Sequence, residues 1–244
     1  VTVSDDGGSS GRLRDEMNII PPGDIRQCIA ALAHSETAIS DLFNSRFETQ
    51  GDLKGHSVGN LLLAAMAELK GGDFYQAIKE LSRVLAVSGR VLPSTLERVT
   101  LCAELGDGLI VRGESSITKA KQAVKRVFLS PSDVRALPEA IDSIREADII
   151  IIGPGSLYTS IVPNLLVKDI RQALKKTRAP LVYVCNVMSQ PGETDGFTAS
   201  DHAKQIMKHL GGRKIDYIVL NDKYPSRLLE RYRALMDSGR LELS

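Results

Sequence analysis

The sequence contains no tryptophan, and aromatic residues make up only 5% of it. A surface that grips nucleic acid strands needs aromatic planes for the bases to stack on, so that class of partner has little to work with here. Charge of one sign is also missing. Thirty-one Lys and Arg stand against 30 Asp and Glu, leaving a net charge of +1. Neither a phosphate backbone nor an anionic membrane would be attracted to so balanced a chain. Cysteine is scarce, with Cys28, Cys102 and Cys185 far apart and odd in number. This excludes a disulfide framework, and without a Cys-x-x-Cys or Cys/His cluster a thiolate metal site is excluded too. No apolar run approaches the roughly 18–20 residues of a membrane span. No signal peptide, repeat or low-complexity tract is visible. A cytoplasmic chain with reduced thiols and no redox cofactor is expected.

What is present suffices for a core: 244 residues, 43% of them hydrophobic. They fit one α/β domain over 1–244. The opening Val1-Thr2-Val3 reads as a buried β-branched strand that delivers Asp5 and Asp6 to the carboxyl edge of a sheet. Gly7, Gly8 and Gly11 let the backbone approach a ligand. Ser9 and Ser10 add hydroxyls, and Arg12 and Arg14 add forked donors suited to phosphate. Either this is a phosphate loop, with Asp5, Asp6 and Asp24 placing a divalent cation such as Mg2+, or it is a polar turn with solvated charges.

Along the chain, 15–90 is a helical insertion, with helices expected at 25–33, 37–47, 58–69 and 74–85, the last capped by Asp73. Strands at 98–104 and 109–114 flank Gly106-Asp107-Gly108, a hairpin signal. A further strand is expected at 124–129. Apolar strands at 148–152, 181–187 and 215–220 then alternate with helices at 138–147, 163–176, 198–210 and 226–236. That alternation predicts a three-layer Rossmann-like parallel sheet with a hairpin and the helical insertion. Ligands of such sheets sit at the strands' carboxyl ends, where the loops at Asp5, Gly153, Asn186 and Asn221 are expected to converge.

Gly153-Pro154-Gly155-Ser156, with Tyr158, Thr159 and Ser160 behind it, is either an anion loop at a helix start or a tight βα turn. Asn186, Gln190, Glu193, Thr194 and Asp195 form a polar loop that holds a sugar or base, or else caps itself. His202 and His209 are expected to be solvated. Gly55-His56-Ser57-Val58-Gly59 spells the G-x-S-x-G hydrolase elbow, but no buried strand precedes it. The other reading places His56 and Asn60 near a phosphate, with Gly55 and Gly59 allowing close approach. Tyr232 is a candidate nucleobase stacker or a packing residue.

The run Asp5 to Glu16, Pro21-Pro22-Gly23-Asp24-Ile25-Arg26, Gly55 to Asn60, Gly153 to Ser160, and Cys185-Asn186 through Thr194-Asp195-Gly196 together resemble the YvcK/CofD-like family over nearly the whole chain. The wording DDGGSSGRLRDE and QPGETDG is closer to its YvcK side, the gluconeogenesis factors. The resemblance implies a nucleotide-sugar-binding regulator of carbon metabolism and cell shape, with UDP-N-acetylglucosamine as ligand; a homo-oligomer, such as a dimer, is expected. The alternative it implies is a Mg2+-dependent transferase that moves a phospholactyl group from a nucleoside diphosphate. Diphosphate would lie on Gly7, Gly8, Ser9, Ser10, Arg12, Gly153, Gly155 and Ser156. The family begins with a strand and a GGGTG-type loop ahead of this stretch. The chain starts at Val1, so part of the phosphate site is expected to precede it. Binding-only and catalytic readings both stand at this point.

Overall fold

The structure, a computed structural model, describes residues 1–34 and 37–222. The chain forms two compact units. Unit 1 comprises Val1–Val99 and Val134–Ala140, and unit 2 comprises Thr100–Asp133 and the described residues from Ile141 onward.

Unit 1 is helical: α1 Gly8–Met17, α2 Gly23–Leu32, α3 Thr37–Asn44, α4 Val58–Leu69 and α5 Phe74–Val84. Ile25 and Ile29 of α2, Leu63 and Ala67 of α4, and Ala77 and Ile78 of α5 are buried at the three- and four-residue spacing of one helix face. Asp73 caps α5 by accepting from the N–H of Gln76 at 3.0 Å, satisfying one of the free donors of the first turn. Two expectations change. Val1 to Val3 belong to no helix or strand, and Thr2 and Val3 are buried. They join neither sheet among the described residues; the Val1 carbonyl instead accepts from the N–H of Ser94 at 2.8 Å. The polar stretch after Asp6 is a helix rather than a loop, because its start is held from outside: Asp5 Oδ1 accepts from the N–H of Gly7 at 2.8 Å.

Unit 2 holds two three-stranded sheets. The first is antiparallel, in the order β2-β1-β3, with β1 Thr100–Leu105, β2 Ile110–Arg112 and β3 Val124–Ser130. The expected hairpin pairs Cys102 with Arg112 across its turn. β3 joins the other side of β1, pairing Phe128 with Cys102. Helix α6 Glu114–Ala120 lies between β2 and β3 in sequence.

After α7 Pro138–Glu146 come β4 Ile150–Ile152, α8 Val162–Leu166, α9 Lys168–Lys176, β5 Leu181–Val184, α10 Ala199–His209 and β6 Tyr217–Val219. The strands form the parallel sheet β4-β5-β6. The fold is thus mixed α/β, with a parallel and an antiparallel sheet. The single helix expected over 163–176 is broken at Val167, whose ψ of 113° is extended, and a π-helical turn at Leu157–Ile161 precedes it. In the parallel sheet Ile151 is 59% and Tyr217 64% exposed. The helix expected at 226–236, with Tyr232, lies outside the described residues. No described helix is long and apolar enough to cross a membrane.

Candidate functional site

A polar cleft of about 230 Å³ opens in unit 1 where α1 begins. Asp5, Gly7, Gly8, Ser9 and Ser10 line one side; Gly23, Arg26 and Gln27 of α2, with Arg46 and Asn60, line the rest. A helix start presents unsatisfied N–H groups and the positive end of the peptide dipoles. Two arginines, Arg26 and Arg46, line the same cleft. Small residues make the approach possible. A Cβ on Gly23 would collide with Asp5 Oδ2 and Ser10 Oγ, and a Cβ on Gly59 would stand 2.9 Å from the Arg26 side chain and 2.6 Å from the Phe43 carbonyl. Gly59 therefore makes room for the stem of Arg26.

Arg26 is only 7% exposed. Its Nη1 donates to Asn44 Oδ1 at 2.8 Å, while its Nε is buried without a partner. Burial lowers its pKa from the ordinary arginine value, but an arginine remains charged in any accessible pH range. Arg46 spends one donor on the Gly55 carbonyl at 3.1 Å. Neither Arg46 nor Gln27 was marked by any motif. Arg26, next to Asp24 at a helix start, carried the weaker signal of a charged pair after Pro-Pro-Gly.

Ser9 is held in a closed network. Its Oγ accepts from Asn60 Nδ2 at 3.1 Å and from the N–H of Ser57 at 3.4 Å. It also shares a hydrogen bond with Nδ1 of His56, 3.0 Å away. Burial, then the neighbouring Arg12 charge, lower the His56 pKa. A serine beside a histidine suggests a nucleophile and its base, but this pair is buried, and Ser9 Oγ is also tied to Asn60 and Ser57, so the network fixes the start of α1. Ser57 fails as a hydrolase nucleophile for a different reason: it is fully buried at the start of α4, and no strand leads into it, only an isolated bridge that pairs Ser57 itself with Arg46. Asn60 also reaches Ser10 Oγ at 3.4 Å, and its buried Oδ1 has no partner.

Arg12, expected on phosphate, points elsewhere. Its Nη1 and Nη2 donate to the carbonyls of Asp52 and Lys54 at 2.9 and 2.6 Å, tying α1 to the 51–55 loop. Asp24 is mostly buried, and one carboxylate oxygen has no partner. Burial, with Asp5 close by, raises its pKa to about 6. Among the described residues no three His, Cys, Asp or Glu side chains are placed to hold a metal ion together. Asp5, Asp6 and Asp24 therefore do not form the three-carboxylate cluster expected of them. Asp5 and Asp24 remain close enough to influence each other's charge.

The loops of unit 2 satisfy themselves. Asn186 spans Gly155, accepting from its N–H at 3.1 Å and donating to its carbonyl at 2.8 Å. Thr194 Oγ1 accepts from the N–H of Gln190 and Asp195 Oδ2 from that of Gly192, each at 2.8 Å. Glu193, expected in a loop that holds a sugar or base or else caps itself, is the hub of the second arrangement. It is 3% exposed and accepts from Thr159 Oγ1 at 3.1 Å, the Tyr158 N–H at 3.3 Å and Gln190 Nε2 at 3.0 Å. Burial raises its pKa. Tyr158 is a core residue, its hydroxyl pushed up to about 12 by burial and by Glu193. Gly153 and Ser156 frame the turn before it. His202, expected in solvent, is fully buried with neither ring nitrogen partnered, edge-on to Phe197 at 5.6 Å. His209 donates through Nδ1 to the Gln205 carbonyl at 2.7 Å.

Residues 1–242 match the family described as 2-phospho-L-lactate transferase CofD. A protein called gluconeogenesis factor in Bacillus subtilis is 54% identical over 241 residues, which span 98% of this chain and 75% of that protein. Another of that name, from Halalkalibacterium halodurans, is 54% identical over 91% of this chain and 68% of its own length. A crystal structure of a member of the UPF0052 family from Bacillus halodurans superposes with a TM-score of 0.92 at 51% identity, covering all of this chain and 77% of that one. The chain therefore belongs to the CofD family, and its close relatives carry the gluconeogenesis-factor name.

Proposed function

We propose that the unit 1 cleft binds the diphosphate of a nucleoside-diphosphate sugar of the UDP-N-acetylglucosamine type, and that the protein acts through this binding as a regulator of carbon metabolism. One observation carries the reading: a buried arginine with an unspent Nε, Arg26, lines the same polar cleft as the start of α1. Guanidinium and backbone N–H groups together suit phosphate oxygens. Where Mg2+ accompanies the ligand, Asp5 and Asp24 would hold it beside the phosphates, since the unpartnered Asp24 oxygen suits a hard cation that takes few protein ligands. The ion would offset charge on the diphosphate.

The catalytic reading draws on the family description, since transfer of a phosphate ester needs positioning and charge more than a nucleophile. Binding alone fits the way Ser9 is held: its buried Oγ is tied to Asn60, Ser57 and His56, a network that fixes the start of α1. Titration calorimetry of the full-length protein with UDP-N-acetylglucosamine, with and without Mg2+, tests the reading. The expected result is binding that Arg26→Ala weakens at least tenfold, with the ligand recovered intact by mass spectrometry. Cleaved ligand would establish the transferase instead. Undiminished binding to Arg26→Ala would remove this cleft from the account.

A further inference from the structure

Unit 1 contains a second cleft, of about 480 Å³, that shares no lining residue with the first. Its two walls come from one helix and the chain that follows it. Helix α5 turns Phe74, Ala77, Ile78 and Leu81 inward. Tyr75, Lys79, Ser82 and Arg83, at helical intervals of three and four, line the cleft from the adjoining side. Beyond the helix the chain turns back. The N–H of Val87 donates to the Ser82 carbonyl and that of Ser88 to the Leu32 carbonyl, each at 2.9 Å. This sets Arg90, Val91 and Leu92 opposite the helix.

The lining sorts by chemistry. Lys79, Arg83 and Arg90 are cationic against one carboxylate, Glu139, although the whole chain is almost neutral. Arg83 is partly engaged by Glu80, at 2.9 Å. Val87, Val91 and Ile78 make the other part apolar. Tyr75 stands between the two. Burial and then Glu139 raise its pKa, so the phenol keeps its proton and bonds to that carboxylate, which holds the ring. Lys79 Nζ stands 5.3 Å from the ring centroid, inside the range of a cation–π contact. A concave site of a few hundred Å³, partly apolar with a few convergent charges, has the form of a small-molecule pocket.

We propose that this cleft is a second binding site, separate from the diphosphate site, for a small phosphomonoester that carries a ring or other apolar group. The phosphate is taken by Lys79 and Arg90, and the apolar group lies against Tyr75 and Val91. Ammonium and guanidinium both form charge-assisted bonds to phosphate, and the tyrosine face with the valine supplies the area that an inorganic ion cannot use.

Phenyl phosphate, inorganic phosphate and phenol are the probes, titrated into the full-length protein and followed by calorimetry. Phenyl phosphate should bind saturably and more tightly than either of its halves. Lys79→Ala combined with Arg90→Ala should weaken it at least tenfold, while Arg26→Ala leaves it unchanged. Both substituted residues are exposed, and the single charge reversal Lys79→Glu repeats the test with one replacement. No saturable binding of phenyl phosphate at millimolar concentration overturns the proposal. So does binding that Arg26→Ala abolishes and the Lys79 variants do not touch. Inorganic phosphate binding as tightly as phenyl phosphate overturns the apolar half. Because Arg26 reports on the other cleft, either reading can fail while the other stands.

Discussion

Two glycine- and serine-rich stretches in this chain look alike as text and differ as structures. Asp5 to Gly11 leads into a helix whose start borders open, polar space, in a cleft also lined by Arg26, whose buried Nε has no partner. Gly153 to Ser160 sits in a region where Asn186, Glu193, Thr194 and Asp195 already answer the backbone and hydroxyl groups around them. Hydrogen-bond accounting separates the two, because a buried group that is already satisfied gains little from a ligand, while an unsatisfied one gains the full bond. Loop composition reports only that the backbone can turn and approach.

The largest effect that would test this contrast comes from Gly11→Ala. A Cβ there would strike the Asp6 carbonyl, and backbone cannot move aside as a side chain can. A loss of about 3 kcal/mol or more is expected in urea unfolding; a near-neutral result would mean that α1 is not held as tightly as its contacts indicate. Next is pH. The Asp24 carboxyl titrates near 6 in the folded state against an ordinary 3.8, so the folded form holds the proton more tightly. Stability should therefore fall as pH rises from about 4 to above 6, by roughly 2–3 kcal/mol. Asp24→Asn should flatten that slope, and an unchanged slope would show that another group is responsible.

Glu193→Ala in unit 2 should cost about 2–3 kcal/mol, since it strands buried donors at Tyr158 and Thr159. Nucleotide-sugar affinity that dropped sharply while stability held would instead make Glu193 a ligand contact. Arg12→Ala is expected to be mildest, losing about 1 kcal/mol of stability with its two carbonyl bonds and leaving affinity within about threefold. A tenfold loss of affinity would return Arg12 to the phosphate.

Much of the architecture is legible in the residues. Asp73 before an amphipathic run predicts α5 and its cap. Gly106-Asp107-Gly108 predicts the hairpin, and three apolar runs between helices predict the parallel sheet. Each of these depends on neighbours in sequence. α1 is not legible, because GSSGRLRDEM has almost no apolar periodicity. Its helix is secured by Asp5 at Gly7, by Asn60 at Ser9 and by carbonyls forty residues away at Arg12. The same holds in the cleft. Asp5, Gly7, Gly8, Ser9, Ser10 and Asn60 could be named from motifs, whereas Arg46 and Gln27 reach the cleft only because their helices and loops are packed there. His202 reads as solvated from its spacing, but the packing of α10 against Phe197 buries it.

By itself the sequence determined the family, the order of most helices and strands, and the loops rich enough in glycine and serine to approach a phosphate. These follow from periodicity, caps and turn residues, all of which act over a few positions. Only the tertiary structure decided which polar groups are spent and which are free. It turned Arg12 toward Asp52 and Lys54, tied Ser9 to His56, Ser57 and Asn60, and left Arg26 Nε unsatisfied. Whether a hydrogen bond is available depends on partners distant in sequence, and no local pattern of residue types encodes them.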